Sequence, residues 1–224
     1  MKMTRSAAAA AALTLTMVLG SCSLSDKLAQ ADPMKKKGIT TTTASESKTN
    51  QKLFYDDFAA TYKGNYYAEL TMQLSEDVAA QVVVDVLDNK VYQATTVAGM
   101  TTYILIPGDG SVYDVSKETL TYYQAEELEK SVAQNDVIFG ATGEFEKVEQ
   151  DKETGFTKEY FKLNDDNAAD KGQVIYSFDA AGQLMSISTH FASGAEQNYK
   201  VNTITAADPG YVQVPDLTGY TKNY

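Results

Sequence analysis

The sequence predicts an α+β domain in which an antiparallel β-sheet packs on short helices. From residue 66 onward, short segments of alternating apolar and polar residues are separated by turn residues about every 8 to 12 positions, which is typical of antiparallel strands. In two other segments, apolar residues recur at the four-residue spacing of an amphipathic helix. We expect one domain over residues 51–224, because a chain of this length can bury an adequate core.

Two helices are predicted. The first covers residues 51–62, where aromatic residues recur every four positions. The second covers residues 125–134, where Leu128 and Val132 share a face and acidic residues stand near the start. Helices this short gain most of their stability from packing, so we expect both to lie against the sheet.

Strands account for most of the remaining domain. The strongest turn signals are the Pro-Gly-Asp-Gly sequence at 107–110 and the Asp-Asn-Lys sequence at 88–90. Residues 209–224 carry two prolines and three tyrosines and are expected to form an extended strap. The predicted strands are 66–74, 81–87, 91–97, 101–106, 111–115, 119–123, 142–149, 157–163, 173–179, 184–191 and 198–205.

The N-terminal segment has the order of an export signal. A basic start is followed by an apolar run of about 14 residues, shorter than the roughly 20 that span a bilayer as a helix. Leu19, Gly20 and Ser21 then precede Cys22, the only cysteine of the chain. This ending resembles a bacterial lipobox, whose cysteine is acylated and becomes the new N-terminus. An ordinary export signal and an uncleaved anchor with an incidental cysteine are the alternatives.

On the lipobox interpretation, residues 1–21 are a lipoprotein signal peptide and residues 22–50 are a tether. The tether contains no aromatic residue and little to bury, so it is predicted to be disordered. A diacyl group on Cys22 is sufficient attachment, because two acyl chains hold well where one is marginal. The predicted location is therefore extracytoplasmic, lipid-anchored to the cell membrane of a bacterial envelope.

Charge and composition restrict the possible partners. Removal of residues 1–21 takes away Lys2 and Arg5 and changes the net charge from −11 to −13. Such an acidic domain repels nucleic acid and anionic membrane surfaces. A single cysteine also excludes an internal disulfide.

Catalytic and metal-binding patterns are weak. The single histidine, His190, is expected beside Ser186 and Ser188 on the hydrated side of a strand, and no Gly-x-Ser-x-Gly motif is present. One histidine and one acylated cysteine cannot form a zinc or copper site, and residues 165–170 lack the glycine of a calcium loop. Adjacent acidic pairs are expected by chance among 30 acids. We predict no metal, no cofactor and no enzymatic activity.

Three hairpin patterns carry a resemblance to a known fold: residues 101–106 before a Gly-rich turn, 111–115 after it, and 176–179 with Gly182 and Leu184. With the order of elements, these resemble the fold of Lol-type lipoprotein carriers and receptors, which mycobacterial lipid-binding lipoproteins share. The resemblance covers about residues 51–215 as architecture. It implies a strongly curved antiparallel sheet, a half-barrel around two or more short helices, with an apolar concavity. No motif carries ligand residues across.

The predicted function is therefore binding. The resemblance implies a lipid or other hydrophobic ligand in the concave sheet, while the same residues could instead simply pack beneath the helices. The alternative function is a non-enzymatic interaction or sensor module that binds an envelope protein and has a filled core. The candidate ligand-binding residues are Val82, Val84, Val86, Ile104, Ile106, Val174, Tyr176, Phe178 and Ile187.

Overall fold

A computed structural model describes residues 52–128, 131–163 and 172–223, within a unit that spans Lys48–Tyr224. The predicted signal peptide, tether and acidic loop 165–170 lie outside the described residues. Cys22 and the lipobox residues Leu19, Gly20 and Ser21 lie outside them too. None of the helices in the described ranges is long and apolar enough to cross a membrane.

The described residues form two helices and a series of strands. The helices are α1 (Phe54–Tyr62) and α2 (Ser131–Asn135). The strands are β1 (Asn65–Gln73), β2 (Ala79–Leu87), β3 (Lys90–Val97), β4 (Met100–Ile106), β5 (Ser111–Ser116), β6 (Thr121–Glu126), β7 (Thr142–Gln150), β8 (Thr157–Leu163), β9 (Gln173–Phe178), β10 (Leu184–His190), β11 (Glu196–Thr205) and β12 (Thr221–Lys222).

All these strands belong to one sheet, in the order β12-β6-β5-β4-β3-β2-β1-β11-β10-β9-β8-β7. Neighbouring strands are antiparallel except for the short parallel pair of β12 and β6. β12 and β7 are the outermost strands, so the sheet is not closed. The predicted class, an antiparallel sheet with short helices, is thereby confirmed in its coarse form.

The second helix differs from its prediction. Residues 121–126 continue the sheet as β6, with Glu126 paired to Ser111, and α2 begins only at Ser131. The hydrogen bonds of the sheet ladder satisfy this backbone, so the local helix propensity of the acidic segment does not decide its structure. Leu128, predicted to face the sheet, is 69% exposed.

The inner face is the face of the sheet that carries α1 and α2. Alternate residues of the strands point to this face, as the two-residue period of a strand requires. Phe58 of α1 and Val132 of α2 pack in the same core cluster as these strand residues. The largest fully buried side chains of that cluster are Tyr66, Tyr176, Phe178, Leu70, Ile106 and Ile138.

The outer face is covered differently, by residues 206–222, which we call the C-terminal strap. Leu217 and Tyr220 of the strap pack on a small cluster formed by Leu105, Tyr113 and Val115. The strap ends in β12, which pairs with only two residues of β6. The predicted strap, residues 209–224, lies in this segment, but it is not extended throughout, because the chain turns at 208–211 and 217–220 and then forms one short strand.

Candidate functional site

The predicted ligand-binding residues share the inner face, as the registers show. On one side of the sheet, Val84 pairs with Gln93 and Gln93 with Ile104. In the other half of the same sheet, beyond β1 and β11, Tyr176 pairs with Ile187 on this face. Residues directly opposite each other in a ladder point to the same face. The ladders between these strands place the candidate residues on one face of the sheet, and their ligand binding stays a prediction.

Burial divides this set of residues into two groups. Ile104 is only partly buried, at the margin of the cluster. The others are at most 2% exposed and belong to the packed core; these are Val82, Val84, Val86, Ile106, Val174, Tyr176, Phe178 and Ile187. A ligand could reach the buried group only if the elements that cover it moved.

The cover over β8, β9 and β10 consists largely of aromatic rings. The Tyr55 ring lies 4.5 Å from that of Phe161 and 4.8 Å from that of Tyr176, centroid to centroid. The Phe58 ring stacks on Phe139 at 5.2 Å. Aromatic pairs at these separations add stability beyond their buried area. Helix α1 therefore fills the space in which a bound apolar ligand would otherwise lie.

Glu159 attaches the start of α1 to the sheet. Its carboxylate accepts hydrogen bonds from the backbone N–H groups of Phe54, at 2.8 Å, and Tyr55, at 2.9 Å. These are unpaired donors of the first helical turn, where a negative charge is favourable. Glu159 is 1% exposed, and burial raises the pKa of its carboxyl despite the two N–H donors.

Asp136 holds the segment that follows α2. Its carboxylate accepts hydrogen bonds from the Tyr66 hydroxyl at 2.6 Å and from the backbone N–H of Phe139 at 2.9 Å. A third bond comes from the Ile138 N–H at 3.2 Å. Burial raises the pKa of Asp136, and it raises the pKa of Tyr66 well above its usual value. The inner cover thus contains buried polar groups that are paired.

The inner face becomes open along β4. Ile106 is completely buried, Ile104 is partly buried, and Met100 on the same side of the strand is 55% exposed. Tyr123 of β6 lies on this face too and is 51% exposed. We call the region of Met100, Ile104 and Tyr123 the open end. Thr102, which is exposed, lies between Met100 and Ile104 on this face, so apolar and polar side chains alternate where the core meets the solvent.

The open end carries one acidic side chain. Asp114 of β5 pairs with Ile104 on one side and with Tyr123 on the other, so it lies between them on the inner face. Its side chain is exposed, and partial desolvation raises the pKa of its carboxyl. The inner-face positions of β4, β5 and β6 include no lysine or arginine. An apolar group with a neutral or cationic head fits this surface better than an anion.

His190 lies on the outer side of β10, as predicted. Its Nε2 is 3.9 Å from Oε1 of Glu196, and its side chain is 42% exposed. A polar depression of about 310 Å³ lies on the same face, lined in part by Ser186, Ser188 and Lys200. No group of three or more His, Cys, Asp or Glu residues within the described part of the chain is arranged to hold a metal ion.

Met100, Tyr123 and Asp114 were missed by the sequence reasoning, which selected uninterrupted apolar alternation. Met100 was assigned to a turn, whereas it pairs with Val97 in the ladder. Counting two-residue steps back from Ile104 would have placed it on the inner face. Its exposure could not have been found in this way, because it depends on where the covering helices end.

Two solved structures show limited similarity to the fold. An uncharacterized conserved protein from Thermus thermophilus aligns with a TM-score of 0.46 and 8% identity, covering 76% of this chain and 97% of that chain. A domain of a candidate outer membrane lipoprotein-sorting protein from Vibrio parahaemolyticus aligns with a TM-score of 0.32 and 8% identity, covering 68% and 89%. No family model and no curated protein matches the sequence. We transfer no ligand or activity from these similarities.

Proposed function

We propose that this protein is an extracytoplasmic, lipid-anchored binding protein without enzymatic activity, which holds an apolar ligand at the open end of the inner face. The observation that carries the proposal is the passage along β4 from buried Ile106 through Ile104 to Met100, 55% exposed. Exposed apolar side chains next to a core mark a candidate binding site, which here is interrupted by the polar side chains of Thr102 and Asp114.

The packed part of the inner face supports this site in the proposal. Helix α1 and the segment after α2 pack on the buried part of this face, and the open end adds the exposed side chains of Met100 and Tyr123. Covering such side chains yields about 25 cal/mol per Å² of apolar surface. The sheet is proposed to curve around this face as a half-barrel, with the ligand at its open end and α1 in place.

The ligand is best sought among lipids or other hydrophobic molecules with an uncharged or cationic head. Asp114 stands between Ile104 and Tyr123, and the net charge of the chain is −11. Both features disfavour a free fatty-acid anion. Nucleic acid is excluded from the proposal for the same electrostatic reason.

Attachment to the membrane is proposed to occur through acylated Cys22. The Cys22→Ser variant should lose metabolic labelling by fatty acid and should be recovered in soluble fractions, because the acyl chains supply the attachment. The matched control is Ser23→Ala, which leaves the thiol in place and should keep the label. Unchanged labelling of Cys22→Ser would exclude the lipid anchor.

Ligand binding can be tested with the acylated full chain in bacterial membrane vesicles. The probe is a neutral alkyl glyceride that carries a photoactivatable diazirine, and adducts are mapped by mass spectrometry. We expect adducts at Met100, Ile104 or Tyr123, reduced at least about fivefold in a Met100→Ser, Tyr123→Ser double variant. Both side chains are more than half exposed, so their loss should change stability by less than about 0.5 kcal/mol.

The control variant is Val214→Ser, which removes an apolar side chain that is 57% exposed on the strap. It should leave the adduct yield unchanged. Adducts spread evenly over the surface, or an equal yield in the double variant, would refute a specific site at the open end.

An interaction or sensor module is the second candidate function. It is favoured by the filled core, in which Val84 and Tyr176 are completely buried, and by exposed Leu128 shortly after β6. A photoreactive amino acid at position 123 distinguishes the two. A discrete protein adduct without lipid adducts supports the module, whereas lipid adducts alone support ligand binding.

A further inference from the structure

A buried carboxylate lies beneath the C-terminal strap. Asp85 of β2 points to the outer face, between Tyr67 of β1 and Tyr92 of β3, its neighbours in the two ladders. It is completely buried, with 0% of its surface exposed. An acid in this position on a sheet surface is normally solvated. The strap removes it from water.

The hydrogen bonding of Asp85 is incomplete. Its Oδ2 accepts a hydrogen bond from the backbone N–H of Asp208 in the strap, at 2.7 Å. Its Oδ1 is buried and has no hydrogen-bond partner among the described residues. A buried polar atom without a partner costs about 1 to 3 kcal/mol, and more when the group is charged.

The side chains of the neighbouring strands do not neutralise this carboxylate. The Tyr67 hydroxyl donates to Glu69 at 2.8 Å, and burial raises the pKa of Tyr92 to about 12, so both rings are neutral at physiological pH. Lys90 lies two residues further along the ladder, opposite Leu87.

The strap adds an aromatic ring and a further acid. The Tyr211 ring is 5.5 Å from that of Tyr67 and 5.0 Å from that of Tyr92. Asp208 has a carboxylate that accepts from the Gly210 N–H. Burial foremost, and then the charge of Asp208, raise the pKa of Asp85, while the Asp208 N–H opposes this shift.

We propose that the C-terminal strap is a proton-coupled cover, which closes over Asp85 more firmly when that carboxyl is protonated and opens more readily when it is ionised. Closing transfers the carboxylate from water to an apolar site with one donor. Protonation removes the buried charge, so the closed state binds the proton more tightly than the open state.

The direction of the pH dependence follows from linkage. The pKa of Asp85 is higher in the closed state than in the open state, so protonation stabilises the closed state. This stabilisation is complete below the ordinary pKa of about 3.9, and it is lost as the pH rises through the raised pKa. Closing is therefore favoured as the pH falls from neutral toward about 4.5. Below that range Asp216 of the strap, whose pKa is lowered by Thr218, begins to lose its own hydrogen bonds.

Opening would expose a second apolar surface. Leu105, Tyr113 and Val115 are covered in part by Leu217 and Tyr220 of the strap. Near its end, the strap is attached to the edge of the sheet through the N–H groups of Thr221 and Asn223, which donate to backbone carbonyls next to and within β6. Because β12 is only two residues long, few hydrogen bonds must break for the strap to leave this surface.

Hydrogen exchange of the full acylated chain in detergent tests the proposal. The amides of residues 207 and 208 report strap opening, and those of β1 and β2 serve as the internal reference. After correction for intrinsic exchange, protection of the strap relative to the reference should rise between pH 7.5 and pH 4.5. The largest possible increase in protection is about tenfold for each unit by which closing raises the pKa of Asp85.

The Asp85→Asn variant should abolish this pH dependence, while Asp114→Asn, which removes a carboxylate from the opposite face, should retain it. Strap protection that is independent of pH in the unmodified chain, or unchanged dependence in Asp85→Asn, would overturn the proposal. Should Asp85→Asn fail to fold, the carboxyl titration of Asp85 by NMR decides. In the full chain its midpoint should lie above the ordinary value of about 3.9, and a midpoint at or below that value would refute the coupling.

Discussion

The two covers of the sheet treat a buried acid in opposite ways. On the inner face, Glu159 accepts two backbone N–H groups of α1, at 2.8 and 2.9 Å. On the outer face, Asp85 accepts one N–H from the strap and leaves its second oxygen unpaired among the described residues. Burial raises the pKa of both acids. Because Glu159 is paired, it is part of a stable core. Asp85 is only half paired, so the closing of the strap over it depends on its protonation.

The inner cover is also packed more tightly than the strap. Phe58 of α1 contacts the rings of Phe139 and Phe178 and is 6% exposed. Tyr211 of the strap contacts two tyrosine rings and remains 38% exposed. We expect the inner cover to unfold with the whole domain and the strap to open locally, as weakly packed segments do.

The largest effect is expected for Phe58→Ala. Loss of this ring leaves a cavity between α1 and the sheet and should lower the free energy of unfolding by about 3 to 5 kcal/mol. Urea unfolding followed by circular dichroism measures it. The comparison variant is Leu217→Ala on the strap, for which we expect about 1 kcal/mol, confined to exchange of the strap amides. Equal global losses in both variants would contradict separate roles for the covers.

A smaller effect is expected for Glu159→Gln. The amide keeps one acceptor oxygen but directs an NH₂ group toward a backbone N–H of α1, so one buried donor loses its partner. We expect the free energy of unfolding to fall by about 2 kcal/mol. Glu153→Gln, at an exposed turn, is the control and should change it by less than about 0.5 kcal/mol. A neutral outcome for Glu159→Gln would show that the N–H contacts do not hold α1.

The pH dependence should be the smallest effect of the three. Glu159, Asp136 and Asp85 have raised pKa values in the folded state, so it binds more protons than the unfolded state near neutral pH. Stability should therefore rise from pH 7.5 toward about pH 4.5, by about 1.4 kcal/mol at most for each unit of raised pKa. Urea unfolding repeated at a series of pH values measures this slope.

A group shifted in the other direction sets the lower limit. The Lys158 ammonium first, then the Glu153 and Thr154 N–H groups, lower the pKa of Asp151 to about 2. Its contribution is present above the ordinary pKa and is lost as the pH falls toward about 2. Stability that falls steadily from pH 7.5 to pH 4.5 would contradict the assigned direction for the buried acids.

Strands were predictable because alternation and turn residues are local signals. The turn at 88–90 has positive φ at Asp88 and Asn89, as a tight hairpin requires, and the strands on either side begin within a few residues of their predicted positions. The second helix was not predictable in this way. Residues 125 and 126 have helical propensity, but their hydrogen bonds go to β5, a partner that the local sequence does not specify.

The candidate site followed the same division. Parity grouped the alternating residues within each strand, and the registers then place Val84, Ile104 and Tyr176 on one face. Whether a residue of that face becomes core or open surface depends on the position of α1 and α2. That position is determined by contacts distant in sequence, such as the one between Glu159 and the start of α1.

From the sequence alone come the acidic composition, the period of the strands and the lipobox-like ending at Cys22, because each depends on residues adjacent in the chain. Only the tertiary structure decided that the inner face is filled by α1, that it opens at Met100, and that Asp85 is buried under the strap. The physical reason is that burial and pairing result from long-range packing. Two acids in strands can therefore meet two hydrogen-bond donors or only one.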